Sequence, residues 1–323
     1  MHTFRLVSAS VVVAGLLAAC HQVAPPADDH MAHMSAADLN APRVSSSESQ
    51  GTAGIPASAN NAQARIAASP RHGEWVKIAW EPGSSDSLMA WIVYPSTSRA
   101  KTPVVVVVHE IFGLQTWVRG VADQVAADGF IAIAPDLNSR VRGGPSTQEL
   151  SGDSARKLIQ GVTPAERNKG IAAAARYAMA QPSAEQRYAV IGYCWGGSTV
   201  WIHAVNGGIK GYSGGVAYYG TPYLNGPVPN GDSLAKINKP VMLLNGSKDQ
   251  RIAAAMPAID SAMKALKKEY SGTNYEGATH GFLRAQDDPK ATRDPAEEAA
   301  NLAAAKDAWP KTIAFLKKNL GVK

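Results

Sequence analysis

Only two of the 323 residues are cysteine, Cys20 and Cys194, too few for the disulfide framework on which small exported domains rely. Long hydrophobic runs are scarce as well: from residue 30 onward no window approaches the roughly 18 apolar residues of a membrane-spanning helix. Nor is charge of one sign concentrated. Lys and Arg number 32 against 26 Asp and Glu, a net charge of +6, but the lysines are dispersed, and many fall on the solvated helix face of the C-terminal segment AAAKDAWPKTIAFLKKNLGVK. Without a basic stripe or a reader motif this balance argues against nucleic-acid binding. Internal repeats are absent too. The chain is 45% hydrophobic and 18% charged, a globular composition on a length that supports one large core.

What is present begins with a bounded N-terminal signal. MHTFRLVSASVVVAGLLAAC places Arg5 before an apolar run from Leu6 to Leu17, then small residues before Cys20. That is the layout of an export signal, over residues 1–20, rather than of a membrane span. Leu-Ala-Ala-Cys resembles the bacterial lipobox, in which cleavage leaves the cysteine as a lipid-bearing first residue; a plain secretory signal with an incidental Cys20 is the alternative. His21 follows in place of the aspartate that commonly retains lipoproteins at the inner membrane. The expected location is therefore the outer membrane, facing the periplasm and reached through the lipid anchor alone, with a soluble periplasmic protein as the alternative. Residues 21–70 are rich in Ala, Ser, Pro, Gly and Asn and are expected to form a flexible tether, because they cannot bury enough apolar surface to offset their conformational entropy. His30 and His33 in DDHMAHM lack further preorganised ligands, so no metal site is expected there. With Cys20 spent on the anchor, Cys194 is a lone thiol in an oxidising compartment and must be shielded, useful, or both.

From residue 71 to 323 the pattern alternates. Strand-like runs occur at WVKIAW (75–80), LMAWIVYP (88–95), PVVVVVHE (103–110), FIAIAP (130–135), YAVIGYC (188–194), GGVAYYG (214–220) and PVMLLNG (240–246). VVVVV is apolar at both alternating sets of positions, as in a strand buried on both faces of a parallel sheet. Helical spacing fills the intervals. Two helices carry clear start signals: Thr163-Pro164-Ala165-Glu166 and Asp294-Pro295-Ala296-Glu297 each set a cap, a proline at the first helical position and a glutamate three after the cap. The fold class is α/β, with a mostly parallel sheet and helices on both faces.

Two stretches compete for the role of a nucleophile elbow, which needs a strand running in and a helix running out. GYSGG at 211–215 matches the G-x-S-x-G pattern by letter, but it follows the loop NGGIKG and leads into a strand, so Ser213 is in the wrong order. GYCWGG at 192–197 follows the strand YAVIG and precedes the helical GGSTVWIHAV. Gly192 and Gly196, two before and two after the cysteine, leave space for strand and helix to pass. A thiol at a helix N-terminus gains thiolate character from the unpaired amides, and a nearby imidazole strengthens it. In α/β-hydrolases the acid and the histidine follow on later loops. Asp249 lies just past PVMLLNG, and His280, in YEGATHGF, is the one histidine of the eight placed after the last short strand.

GYCWGG, the glutamate of HEIFGL, the aspartate of GSKDQRI and the histidine of THGFLR together resemble the dienelactone hydrolase family of α/β-hydrolases, also called carboxymethylenebutenolidases. The resemblance covers the domain from about residue 71 to 323 and implies an α/β-hydrolase fold. It implies hydrolysis of a small ester or lactone by a Cys-His-Asp triad, through a thioester and without metal or organic cofactor. On this reading Cys194 is the nucleophile, His280 the base that later activates water, and Asp249 its orienter. Ile111 and Trp195 supply the backbone amides of the oxyanion hole. Glu110 holds the resting cysteine as a thiol and takes its proton when substrate arrives. Arg284 falls on a position that holds a substrate carboxylate in the family, while Phe112 and Tyr219 match wall positions; Arg140, Arg142 and Arg156 are the candidates for a second carboxylate-binding arginine. The anchor and tether depart from the family pattern. A non-catalytic envelope binding lipoprotein that keeps the fold is the reading from another class.

Overall fold

The computed structural model describes residues 50–96, 101–146, 151–225, 228–286 and 294–322; the export signal, Cys20, His30 and His33 lie outside them. The strands are, in chain order, β1 (Gly73–Ala79), β2 (Ser87–Val93), β3 (Thr102–Val108), β4 (Ile131–Pro135), β5 (Ala184–Tyr193), β6 (Tyr212–Tyr218), the small pair β7 (Leu224–Asn225) and β8 (Val228–Pro229), β9 (Val241–Gly246) and β10 (Tyr270–Tyr275). Eight of them form one sheet in the order β1-β2-β4-β3-β5-β6-β9-β10. β2 runs antiparallel to both of its neighbours, and every other pairing is parallel. All seven apolar runs read from the sequence are strands of this sheet.

The helices are α1 (Ala62–Ala67), α2 (Thr116–Ala127), α3 (Ser139–Arg142), α4 (Gly152–Ile159), α5 (Pro164–Met179), α6 (Trp195–Val205), α7 (Gly231–Ala235), α8 (Gln250–Ala265), α9 (Phe282–Ala285) and α10 (Pro295–Leu320). They cover the sheet on both faces. Val104 to Val108 on β3 are all fully buried, which is why a run with no polar alternation is stable here; each such valine contributes about 1.5–3 kcal/mol against its ordering cost. α5 starts with a complete capping box: Thr163 Oγ1 accepts from Glu166 N, and the Glu166 carboxylate accepts from Thr163 N at 2.8 Å. α10 is capped by Asp294, which accepts from Ala296 N, but Glu297 does not close the box. Its carboxylate is instead 2.6 Å from Lys248 Nζ, since a lysine on the neighbouring loop outcompetes a backbone amide for the charge.

The tether expected through residue 70 ends earlier. Residues 50–70 are packed on the domain: Ile55, Ala57, Ser58, Asn61, Ala62 and Ala64 are buried, and α1 lies against α2, where a Cβ on Gly120 would come 3.3 Å from the Ala62 Cβ. Small residues let two helices approach, so a stretch too poor in large apolar groups to fold alone still docks on a preformed surface.

Candidate functional site

The parallel sheet delivers its chemistry at the C-terminal ends of the strands. β5 stops at Tyr193, α6 begins at Trp195, and Cys194 between them has φ 56° and ψ −115°. For a residue with a Cβ that conformation costs on the order of 1–3 kcal/mol and persists only where the surroundings impose it. Here the Cys194 amide donates to Tyr218 O and the Cys194 carbonyl accepts from Ser198 N, both at 3.0 Å. The flanking glycines are required by space. A Cβ on Gly192 would lie 2.3 Å from Gly196 O, and one on Gly196 would lie 2.4 Å from both Val108 O and His109 O. The thiol is therefore held at the first turn of α6, among helix amides that have no intrahelical acceptor.

Ser213 is settled by register. Tyr212 on β6 pairs with Tyr188 on β5, and Tyr218 pairs with Tyr193, so Ser213 lies about five residues, roughly 17 Å, back along the sheet from the elbow. Its hydroxyl donates to Gly211 O.

Asp249 and His280 are brought together with Cys194 from two other loops. Asp249 follows β9 and caps α8, where its Oδ1 accepts from Ile252 N; its Oδ2 lies 2.5 Å from His280 Nδ1. One carboxylate thus fixes both the helix and the imidazole. The imidazole also interacts electrostatically with the Cys194 side chain. Burial pulls the imidazole pKa down, but the Asp249 carboxylate and the Cys194 side chain outweigh it and raise the pKa to about 10. His280 is thereby biased toward its protonated form. The ring of Tyr219 packs 5.0 Å from the imidazole.

Glu110 lies past the end of β3 and is buried. Its Oε2 is 2.9 Å from Arg284 Nε, on the turn that follows His280. A Cβ on Gly281, next to His280, would sit 3.8 Å from Glu110 Oε1, so this carboxylate faces the histidine loop. Its backbone is fixed by His109, whose Nε2 accepts from Leu137 N at 3.0 Å. That leaves the proton on Nδ1, which donates to Glu110 O at 2.5 Å. Complete burial lowers the His109 pKa and keeps the ring neutral. The loop is tied again one residue on, where Ile111 O accepts from Asn138 Nδ2 at 3.0 Å. The Trp195 ring stacks on His109 at 5.5 Å and carries the Arg167 guanidinium 4.3 Å from its centroid. The two segments expected to bear oxyanion amides, at Ile111 and Trp195, are thus locked to each other through side chains.

Among the wall residues, Phe112 is half-buried and faces a cavity of about 230 Å³ shared with Glu110 and Arg284. Tyr219, expected as an apolar wall, is fully buried at φ 37°. Its hydroxyl and that of Tyr193 are buried without a hydrogen-bond partner among the described residues. The remaining arginine candidates are occupied elsewhere: Arg140 pairs with Asp86 and Glu166 and stacks on Trp80. Arg156 is exposed beside Asp153 at 2.7 Å, and Arg142 closes α3. Among the described residues no group of three or more His, Cys, Asp or Glu is placed to hold a metal ion. Sequence reasoning missed three contributors. Ala59 lines the cavity beside Glu110 and Arg284, His109 orients the Glu110 carbonyl, and Asn138 tethers Ile111; Ala59 and Asn138 sit in no motif, and His109 stood in HEIFGL only as the neighbour of Glu110.

Comparison with known proteins agrees with the fold. The profile described as "Dienelactone hydrolase family" matches residues 88–320. A protein of Escherichia coli strain K12 whose name places it among the carboxymethylenebutenolidases is 27% identical over 247 residues, 75% of this chain and 86% of its own. A Bradyrhizobium protein named as a 2-oxo-3-(5-oxofuran-2-ylidene)propanoate lactonase is 28% identical over 255 residues, 76% and 94% of the respective chains. A crystal structure from Klebsiella pneumoniae, named as a dienelactone hydrolase, superposes with a TM-score of 0.60 at 23% identity, covering 76% of this chain and 98% of that one.

Proposed function

Because the chain belongs to the dienelactone hydrolase family and is an ester or lactone hydrolase, we propose that it uses Cys194, His280 and Asp249 as its triad. Its preferred substrate is a small ester or lactone that bears an acid group. The observation that supports the triad is His280, 2.5 Å from Asp249 and electrostatically coupled to the Cys194 side chain at the strand-to-helix elbow.

In the resting state Glu110 is held by Arg284, and Cys194 is a thiol. A substrate carboxylate arriving at Arg284 competes for the same guanidinium and releases Glu110, which takes the thiol proton. The thiolate sulfur attacks the carbonyl carbon while the amides of Ile111 and Trp195 receive the developing oxyanion. As the C–O bond breaks, the His280 imidazolium donates its proton to the departing oxygen, leaving a thioester and a neutral imidazole. That imidazole then takes a proton from water, the resulting hydroxide adds to the thioester, and the C–S bond breaks. The thiolate recovers its proton from Glu110, and one water has been consumed. The raised pKa of His280 suits this order, since the group must start as an acid. The Bradyrhizobium relative, whose name describes a lactone attached to an oxo acid, supports the acid-bearing class.

Arg284→Lys tests the substrate half of the reading. A lysine keeps a positive charge beside Glu110 but lacks the two-pronged fork that grips a carboxylate. The expected result is a loss of about 10- to 100-fold in kcat/KM for an acid-bearing lactone, mostly in KM, with a much smaller change for a neutral ester of equal size. Equal losses on both substrates would show that Arg284 does not read the acid.

Lipid anchoring at Cys20 and a periplasm-facing location at the outer membrane form the second part of the proposal, motivated by the sequence of residues 1–20. Cys20→Ser is expected to abolish membrane association of the processed protein. A variant that remains membrane-bound while its mass shows the signal removed would overturn this. Nothing in the site favours a non-catalytic binding role.

A further inference from the structure

The segment before α1 ties together two sides of the cavity beside Glu110 and Arg284. On one side, Trp117 at the start of α2 donates its indole N–H to Ala57 O at 3.1 Å. On the other, the Ala59 amide donates to Arg284 O at 3.0 Å, and Gln286 Nε2 donates to Pro56 O at 2.8 Å. Between these bonds Ala59 forms part of the lining of the 230 Å³ cavity that also holds Glu110, Phe112 and Arg284. Ligand sites for larger molecules run from roughly 300 Å³ upward, so this cavity is small, and Ala59 is the residue of the segment that forms part of its wall.

The segment is held from outside the cleft. Arg65 on α1 donates to the carbonyls of Gln50, Thr52 and Ile55 and to Gln124 Oε1 of α2. Ala62 is fully buried against Gly120 of α2. Six backbone or side-chain bonds at residues 55–59, and a buried Ile55 and Ala57, are more order than a passive linker needs, because each fixed residue costs about 1–2 kcal/mol of backbone entropy. The family match begins only at residue 88, so this wall is built by a part of the chain outside it.

We propose that residues 55–59 are a specificity-determining wall: they close the acid-binding end of the cleft and restrict the acid-bearing arm of the substrate to a short chain. The proposal rests on the reading of Arg284 as the acid-binding residue, and the segment acts by position, touching no reacting atom. Removing the wall should lengthen the cleft and leave the triad in place.

The test is a length series of aryl monoesters of succinate, glutarate and adipate, run beside neutral acyl esters of matching length. Wild type is compared with Arg65→Ala and with Arg65→Ala/Ala62→Asp, all in the full chain. Hydrogen exchange of the peptide spanning 50–61 reports whether the segment has left its seat. In wild type, kcat/KM is expected to fall about tenfold or more with each added methylene once the arm meets the wall. In a variant whose 50–61 peptide exchanges freely, that fall should shrink to about threefold or less, while the shortest neutral ester is hydrolysed within about threefold of the wild-type rate, as befits changes remote from the reacting atoms. A released segment with the length profile unchanged would overturn the proposal, as would a wild type with no length discrimination. A segment that stays protected in the double variant would overturn the role of Arg65 and Ala62 in holding it. If wild type accepts neutral esters and refuses every acid-bearing one, the acid reading of Arg284 fails instead, and the neutral series still reports on the wall.

Discussion

Cys194→Ala is expected to lower kcat/KM for an activated aryl ester by about 10⁴-fold or more, roughly 5.5 kcal/mol of transition-state stabilisation. The size follows from what is lost. Without sulfur no thioester forms, and the oxyanion amides and the cavity can only assist direct attack by water, which leaves a modest residual rate. Folding should survive, because alanine removes one atom from a half-buried position and keeps the strained φ of 56°. The comparison is therefore clean: equal thermal transitions with a collapsed rate. Comparable rates in the two proteins, with activity shown to belong to the purified chain, would eliminate the cysteine mechanism. Cys194→Ser probes the same point from the other side, since an alcohol in this seat has a far higher pKa than a thiol and gains little from helix amides. A serine variant that keeps full rate would favour an alkoxide mechanism.

Asp249→Asn is expected to have the second largest effect, a loss of about 10²- to 10⁴-fold in kcat, by analogy with amide replacement of the acid in other triads. The helix cap is a lesser concern, because asparagine caps as well as aspartate. What changes is the imidazole. Burial lowers the His280 pKa, and Asp249 is the foremost of the partners that carry it up to about 10. In wild type the proton stays on His280 until the pH passes about 10, so kcat/KM should hold through neutral pH and fall on the alkaline side near that value. With asparagine the alkaline limb should move down by at least about one unit, toward the ordinary histidine range near 6.5. The sign of the stability effect follows from the same shift. A pKa raised on folding contributes stability that is complete below the unfolded value, near 6.5, and is lost as pH rises through about 10. An alkaline limb that does not move in Asp249→Asn would show that the carboxylate does not set the protonation of His280.

The sheet was legible because its interior strands are buried on both faces, and a run such as VVVVV has no other stable home. β10 was harder to read. Its residues Tyr270 to Tyr275 are exposed or half-exposed throughout, and an edge strand paired on one side carries neither a continuous apolar run nor a clean alternation. The order of Cys194, Asp249 and His280 was legible because each follows a strand end, which fixes position along the sheet regardless of loop sequence. The bond between Glu110 and Arg284 was not, since a long-range ion pair leaves no periodic trace. His109 passed for an ordinary strand-end residue because its work is done through a backbone carbonyl. Residues 50–70 were the largest miss. Ala57, Ser58, Asn61 and Ala62 are buried, yet the same residue types dominate tethers, and composition cannot distinguish a chain that has nothing to bury from one that fits into a surface made by others.

The seat of Arg65 also has a mechanical consequence. Tension on the chain from residues before 50 arrives first at the carbonyls of Gln50 and Thr52, which the Arg65 side chain grips. Only then does it reach Pro56, Ala57 and Ala59. A pull or thermal tug from the N-terminal side is borne as shear across a multiply bonded guanidinium and a helix pair. The residues bonded to Trp117 and Arg284 thus lie behind the Arg65 bonds along the chain.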